Sequence, residues 1–173
     1  NGETVFAYDT LRQLTPASVM KTVTTATALE ILGEDYRFPT TLAYDGSIEK
    51  GLLKGNLYIK GSGDPSLGSA HFAPYHKRFL QEWISALKKV GIHKIQGAVI
   101  ADESIFDTEG TSFKWVGEDM GSYYGAGSYG LCVFDNLYKL GLQTGAPGSR
   151  PKLKGTEPES VSYTHLTLPT IRL

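Results

Sequence analysis

The sequence predicts an α+β fold, and three observations carry that prediction. Residues 15–32 are apolar or small nearly all round, the pattern of a helix covered on most sides. Residues 75–90 place apolar side chains at helical spacing with charges opposite, the pattern of a helix with one wet face. Around these lie short β-branched and aromatic stretches punctuated by Gly, Pro and Asp, which read as strands and turns.

In chain order, residues 4–8 read as a strand and residues 9–13 as a polar turn. Thr15-Pro16 is a strong helix start, with Thr15 as N-cap and Pro16 at the first helical position, where its missing N–H costs nothing. Val19, Met20, Val23, Ala26, Ala28, Leu29, Ile31 and Leu32 follow, and Gly33 is the expected stop. Residues 40–44 and 57–59 read as strands with the Asp45-Gly46 turn between them. Gly61-Ser62-Gly63-Asp64-Pro65 is a loop. Tyr75, Phe79, Leu80, Trp83, Ile84, Leu87 and Val90 form the amphipathic helix, closed by Gly91. Residues 95–101 read as one strand, residues 117–130 as a Gly- and Tyr-rich stretch, and residues 138–143 as a strand by alternation. From residue 146 to 158 the chain is Pro- and Gly-rich and reads as a loop.

Composition narrows the functions open to this chain. With 173 residues, 40% hydrophobic and 20% charged, it can bury a core and is no disordered polymer. Lys and Arg total 17 against 18 Asp and Glu, so the cation surplus of a sequence-independent nucleic-acid binder is missing, and no nucleic-acid partner is expected. One cysteine, Cys132, cannot form an internal disulfide or a Cys-rich zinc site; in its apolar stretch it reads as a small buried hydrophobe. No apolar run approaches the ~20 residues of a transmembrane helix. The chain opens on Asn1 rather than Met, so the lack of a signal peptide says little about compartment. His71 and His76 are five apart, off a shared helix face, and no metal site or cofactor is expected. Gly61-Ser62-Gly63-Asp64 lacks the Gly-Lys-Ser/Thr of a phosphate loop. Asp102, Glu103 and Asp107 read as a solvated acidic turn rather than a glycosidase pair.

Four Ser-x-x-Lys pairs occur, Ser18/Lys21, Ser47/Lys50, Ser85/Lys88 and Ser149/Lys152, where chance predicts about one, so context must choose among them. The last three read as solvated surface. Ser18 differs. It falls in the first turn of its helix, where free N–H groups and the dipole favour developing negative charge. Lys21, three residues on, leaves the same helix face. It is also the only charge between Arg12 and Glu30 on a helix that reads as buried. Burial makes the ammonium form costly and favours a neutral amine, a competent general base for a serine attacking a carbonyl. The alternative is that Ser18 helps cap the helix while Lys21 reaches solvent or pairs with a carboxylate. Spacing and context leave both open.

Leu14-Thr15-Pro16-Ala17-Ser18-Val19-Met20-Lys21, with the Thr/Ala-rich helix ending at Gly33, resembles the first active-site motif of the serine D-Ala-D-Ala carboxypeptidases, the class C low-molecular-mass penicillin-binding proteins of peptidase family S13. Leu53-Lys54-Gly55-Asn56-Leu57-Tyr58-Ile59, then Gly63-Asp64-Pro65-Ser66-Leu67, is similar to that family's strand and Gly-Asp-Pro turn. Ile95-Gln96-Gly97 through Asp102, Phe106-Asp107, Trp115, Asp119-Met120, Tyr124 and Asn136 also fall in the family's order, so the resemblance covers roughly residues 3–159. It implies a partial penicillin-binding-protein/β-lactamase-like catalytic domain with an inserted mixed α/β accessory region. Residues 1–38 would be the N-terminal piece of the catalytic domain and 39–159 the insertion. Ser18 would be the acylated nucleophile and Lys21 its general base, acting on the D-Ala-D-Ala end or a cross-link of peptidoglycan stem peptides, with β-lactams as acylating mimics. Asp119 and Tyr124 would help bind the free end of the stem's diamino acid. The location implied is periplasmic or exported.

The family's other two motifs are missing. No Ser-x-Asn occurs, and Lys154-Gly155-Thr156 has the residues of Lys-Thr-Gly in the wrong order and reads as loop. The chain therefore reads as the N-terminal part of the enzyme, inactive by itself. The catalytic-domain piece is expected to be marginally stable, because helix 15–32 lacks the sheet and helices meant to cover it. Residues 160–173 fit neither the family nor the preceding composition and read as a foreign tail. The competing readings are a related serine β-lactamase or esterase, and a non-catalytic cell-wall-binding module.

Overall fold

The structure, a computed structural model, describes residues 2–72, 78–107 and 109–157. Tyr75, His76 and the tail beyond residue 159 lie outside the described residues. The chain divides into two compact units, Asn1–Arg37 and Phe38–Leu173.

The first unit holds a 3-10 turn, Ala17–Val19, running into helix α1, Met20–Leu32. The helical start lies later than the Thr15-Pro16 pair predicts. Pro16 takes the cap position with φ −70°, and Ala17 then turns left-handed, φ 45°, so continuous helical geometry cannot begin before it. Gly33 ends α1 as expected, at φ 82° and with its N–H on the Leu29 carbonyl, 3.0 Å away. The predicted strand at 4–8 does not form. A strand exists by pairing, and the unit's regular elements among the described residues are this helical stretch alone. For the same reason α1 has no second element of its unit to pack on. Every one of its residues is exposed, Ile31 by 74%. The apolar helix is uncovered, as expected for this stretch of chain. The burial read for it, and for Lys21 on it, is not met.

The second unit is built from three small sheets. In the first, β1 (Thr41–Tyr44) pairs antiparallel with β4 (Leu57–Lys60), and β4 pairs parallel with β6 (Val99–Asp102). In the second, β2 (Ser47–Glu49) and β3 (Leu52–Lys54) form a hairpin, and β3 pairs parallel with β5 (Lys94–Ile95). Asp45-Gly46 thus leads into an additional hairpin rather than straight to β4. That hairpin closes on Lys50 (φ 48°) and Gly51 (φ 85°), the two positive-φ residues a tight hairpin requires. Residues 95–101 are two strands in different sheets. The Gln96 N–H reaches the Leu53 carbonyl (2.9 Å), the Gly97 N–H the Gly55 carbonyl (3.1 Å) and the Ala98 N–H Asn56 Oδ1 (2.9 Å), so the chain crosses over beside 53–57. A Cβ on Gly97 would sit 2.3 Å from the Gly55 carbonyl oxygen, which explains the glycine. β7 (Lys139–Gln143) and β8 (Lys152–Glu157) form a third, exposed hairpin. Lys154-Gly155-Thr156 therefore lies on a strand, not in a loop, because β7 supplies the partner; its order is still not Lys-Thr-Gly.

The core is small: Leu53, Leu57, Leu67, Phe79, Ile92 and Cys132 are the buried apolar residues among those described. Helix α2 (Phe79–Lys89) contributes Phe79, whose ring meets Trp83 edge-on at 5.0 Å and Phe134 at 5.6 Å.

Asp45 ties the crossover together. It accepts from the Asn56 N–H (2.6 Å), the Asn56 side-chain amide (3.0 Å) and the Tyr58 hydroxyl (2.8 Å). These bonds favour the carboxylate and hold the Asp45 pKa below its ordinary value, the Asn56 N–H contributing most. Asp102 is lowered likewise, chiefly by Ser104, with Lys60 adding to it. A folded-state pKa below the unfolded one means stability is present above the unfolded value of 3.8 and is lost as pH falls through the folded pKa. The melting temperature of the second unit should therefore fall on acidification below about pH 4, and Asp45→Asn should flatten that fall. A pH–melting series on the two proteins checks this; parallel curves would remove Asp45 from the account.

Candidate active site

Ser18 sits at the centre of the 3-10 turn that starts the first unit's helical stretch, and Lys21 is the second residue of α1. The Val19 N–H donates to the Pro16 carbonyl at 3.0 Å, which places Ser18 at the end of the helical stretch where N–H groups are unspent. The turn and the i, i+3 spacing put both side chains on one face. Both are exposed.

The residue before Ser18 is the feature that sequence reasoning missed. Ala17 stands at φ 45°, a left-handed conformation that costs an ordinary L-residue roughly 1–2 kcal/mol. Such strain persists only where the surrounding chain holds it, and here it sets the backbone direction immediately before Ser18. Alanine carries no signal for this, since glycine or asparagine is the residue that advertises positive φ. In the full-length gene product, Ala17→Val is expected to lower the melting temperature by several degrees, a β-branched residue being an outlier there, whereas Ala17→Gly should not. Equal melting of Ala17→Val and wild type would show that the left-handed turn is not held.

Asp119 and Tyr124 lie in the second unit and share one compact loop. The Asp119 carbonyl accepts from the Ser122 N–H (3.1 Å) and the Ser122 hydroxyl, and the Gly125 N–H donates to the Ser122 carbonyl (3.0 Å). A Cβ on Gly125 would fall 2.0 Å from the Asp119 carbonyl oxygen, so the loop closes this tightly only over glycine. Tyr124 is 61% exposed and meets Tyr123 edge-on at 5.1 Å. The Asp119 carboxylate is half-buried and takes no hydrogen bond among the described residues.

The Gly-Asp-Pro turn anchors this region. Asp64 Oδ1 accepts from the Ser66 N–H (2.8 Å) and hydroxyl, Asp64 bridges to Leu131, and the Gly63 N–H reaches the Gly130 carbonyl (2.7 Å). Gly63, at φ 86°, leaves room for the Phe106 ring, which a Cβ would approach to 2.7 Å. Beside it, Phe134, Asp135 and Asn136 are three successive left-handed residues. They are held by the Phe134 N–H on the Leu67 carbonyl (2.7 Å), Asp135 on the Ala70 N–H (3.3 Å) and the Asn136 amide on the Gly127 carbonyl (3.0 Å). A cavity of about 400 Å³ lies between, lined in part by Phe106, Tyr123, Tyr129, Asp135 and Asn136. Cys132 is buried, as its setting suggests, with its sulfur 3.3 Å from the Tyr129 nitrogen. Among the described residues no cluster of His, Cys, Asp and Glu could hold a metal ion, and no helix is long and apolar enough to cross a membrane.

The family model for peptidase S13, the D-Ala-D-Ala carboxypeptidase 3 (S13) family, matches residues 1–167. This chain belongs to that family. The match runs into the segment read above as a foreign tail. A D-alanyl-D-alanine carboxypeptidase of Actinomadura sp. (strain R39) is 33% identical over 132 residues, 76% of this chain and 23% of that protein. The D-alanyl-D-alanine carboxypeptidase DacB of Haemophilus influenzae is 33% identical over 104 residues, 60% of this chain and 20% of that protein. The crystal structure of penicillin binding protein 4 (dacB) from H. influenzae superposes with a TM-score of 0.67 at 30% identity, covering 81% of this chain and 29% of its own. A second structure of that protein, complexed with a β-lactam, gives 0.52 at 28% identity, covering 80% and 26%. The fold is thus α+β of the penicillin-binding-protein/β-lactamase-like kind, and this S13 chain spans about a quarter of the length of the relatives it matches.

Proposed function

We propose that this S13 chain carries the nucleophile of a serine D-Ala-D-Ala carboxypeptidase/endopeptidase that cleaves peptidoglycan stem peptides through an acyl-enzyme on Ser18. In this reading residues 1–38 lead into the catalytic domain, 39–159 belong to an accessory insertion, and 160–173 are a tail. The observation that supports it best is the placement of Ser18 at a helix start directly after a strained Ala17, with Lys21 one turn on.

The chemistry follows from those positions. Lys21, as the free amine, takes the Ser18 hydroxyl proton while Oγ attacks the D-Ala-D-Ala carbonyl. The C–N bond then breaks, the leaving D-alanine amine takes up the proton, and water hydrolyses the ester. A β-lactam enters the same way, but its ring opens and its amine stays tethered. The base role calls for the Lys21 face of α1 to be packed over in the working enzyme, because burial favours the neutral amine. Asp119 offers an unpaired carboxylate to the ammonium of the stem's diamino acid, with Tyr124 beside it. The protein would work in the periplasm or outside the cell, where that substrate is found.

The test is to label the full-length gene product with a fluorescent penicillin and locate the adduct by peptide mapping. The adduct is expected on Ser18. No label would favour a cell-wall-binding module, and a label on another serine would remove Ser18 from the nucleophile role.

A further inference from the structure

The β2–β3–β5 sheet has two unlike faces. Ile48, Leu53 and Ile95 share the inner one, with Leu53 wholly buried. On the other, register places Glu49, Leu52 and Lys94 in one row and Ser47 and Lys54 in the next. Lys50 stands at the hairpin tip, left-handed beside Gly51. His93 packs against Gly51, and the N–H groups of His93 and Lys94 both donate to the Gly51 carbonyl at 2.8 and 3.0 Å, which draws the start of β5 against the tip. Residues 49–52 with Lys54, His93 and Lys94 line an open groove of about 690 Å³.

The groove is cationic in a chain that is not. Its lining holds three lysines, one histidine and one glutamate, formally +2, in a chain of net charge −1. Glu49 is engaged by Lys54 at 2.6 Å, which leaves Lys50 and Lys94 as the lining's cations without an ion pair among the described residues, with Lys88 and Lys89 ending the helix just before β5. The lining has no arginine, so its cations act as point charges rather than as the planar fork that grips a carboxylate or a phosphate. Lysines are point charges suited to phosphate oxygens. The site is concave, which suits a narrow chain better than a flat bilayer, and it offers no aromatic platform for nucleobases other than His93.

We propose that this groove binds a soluble linear chain of phosphate groups, with Lys50 and Lys94 as its principal contacts. This reading is independent of the Ser18 chemistry. Inorganic tripolyphosphate titrated into the full chain should bind saturably, more weakly as salt rises, and should shift the His93 ring resonances. Lys50→Glu with Lys94→Glu should weaken binding at least tenfold, and Lys50→Gln with Lys94→Gln by an intermediate amount. Lys152→Glu with Lys154→Glu, an equal charge change on β8, should leave it within twofold. A parallel titration with a short poly(glycerol phosphate) separates an anhydride from a phosphodiester source, the tighter binder naming it. Loss of equal size in the β8 variant, no saturable binding of either phosphate chain, or binding only to phosphatidylglycerol vesicles would overturn the proposal.

Discussion

In the full-length gene product, Ser18→Ala is expected to abolish covalent labelling by a fluorescent penicillin, and Lys21→Ala to slow it by about 10²–10⁴-fold. The two effects differ in kind. Removing Oγ removes the atom that forms the ester, so no longer incubation recovers the label. Removing the amine leaves the hydroxyl in place, and a slow reaction through water persists, so label should accumulate with time and rise with pH. Time courses at several pH values separate the two. Slow labelling of Ser18→Ala, or unchanged labelling of Lys21→Ala, would each remove one assignment without touching the other. The 173-residue chain by itself is expected to take no label. It holds no Ser-x-Asn and no Lys-Thr-Gly, and its Lys21 stands in water on an exposed helix. The donors that stabilise an oxyanion typically contribute about 10²–10³-fold each, and this chain lacks two of the three motifs expected to complete the site.

What the sequence made legible divides by the range of the interaction. Local chemistry was readable. Gly33 and Gly91 close the two helices, the alternation at 138–143 becomes β7, and the lone cysteine is buried. Non-local pairing was not. The strand read at 4–8 has no partner, the single strand read at 95–101 splits between two sheets, and Lys154-Gly155-Thr156 becomes a strand only because β7 lies beside it. The β2–β3 hairpin escaped notice because its turn is Lys50-Gly51, without the Asn-Gly or Asp-Gly that marks such turns. The same holds at the site. Ser18 and Lys21 were chosen from four equivalent pairs by helix context, which is local. The left-handed Ala17 before Ser18 has no signature in composition, and the groove beside Lys50 and Lys94 exists only once β5 joins the hairpin. Asp135-Asn136 did carry a signal for left-handed backbone, since short polar side chains tolerate it, but it was not read for that.

The second large effect is expected at Phe79, the helix residue on which the second unit's core turns. Phe79→Ala should cost about 3–5 kcal/mol, a large part of the 5–15 kcal/mol that stabilises an ordinary domain. With so few buried apolar residues in the unit, the substitution should lower its melting temperature by on the order of 10–30 °C or erase the cooperative transition. The loss reaches beyond the cavity left by one ring. Phe134 leans on Phe79, and a Cβ on Gly68 would meet both rings, at 2.7 Å and 3.1 Å, so the ring that opens the left-handed turn at 134–136 is wedged against Phe79 and Gly68. Three strained residues in a row stay strained only while that wedge holds. Once it loosens, Asn136 releases the Gly127 carbonyl and the cavity beside Tyr123 and Tyr129 loses its floor. Leu140→Ala on the exposed β7, which removes apolar atoms that touch little, should stay within about 0.5 kcal/mol of wild type. Thermal melts of the three proteins, with amide exchange at the Phe134 and Asn136 N–H groups, which donate to the Leu67 and Val133 carbonyls, test the chain of dependence. If Phe79→Ala melts with wild type, or melts early while the Phe134 and Asn136 amides keep their protection in the remaining folded state, the helix does not brace the turn.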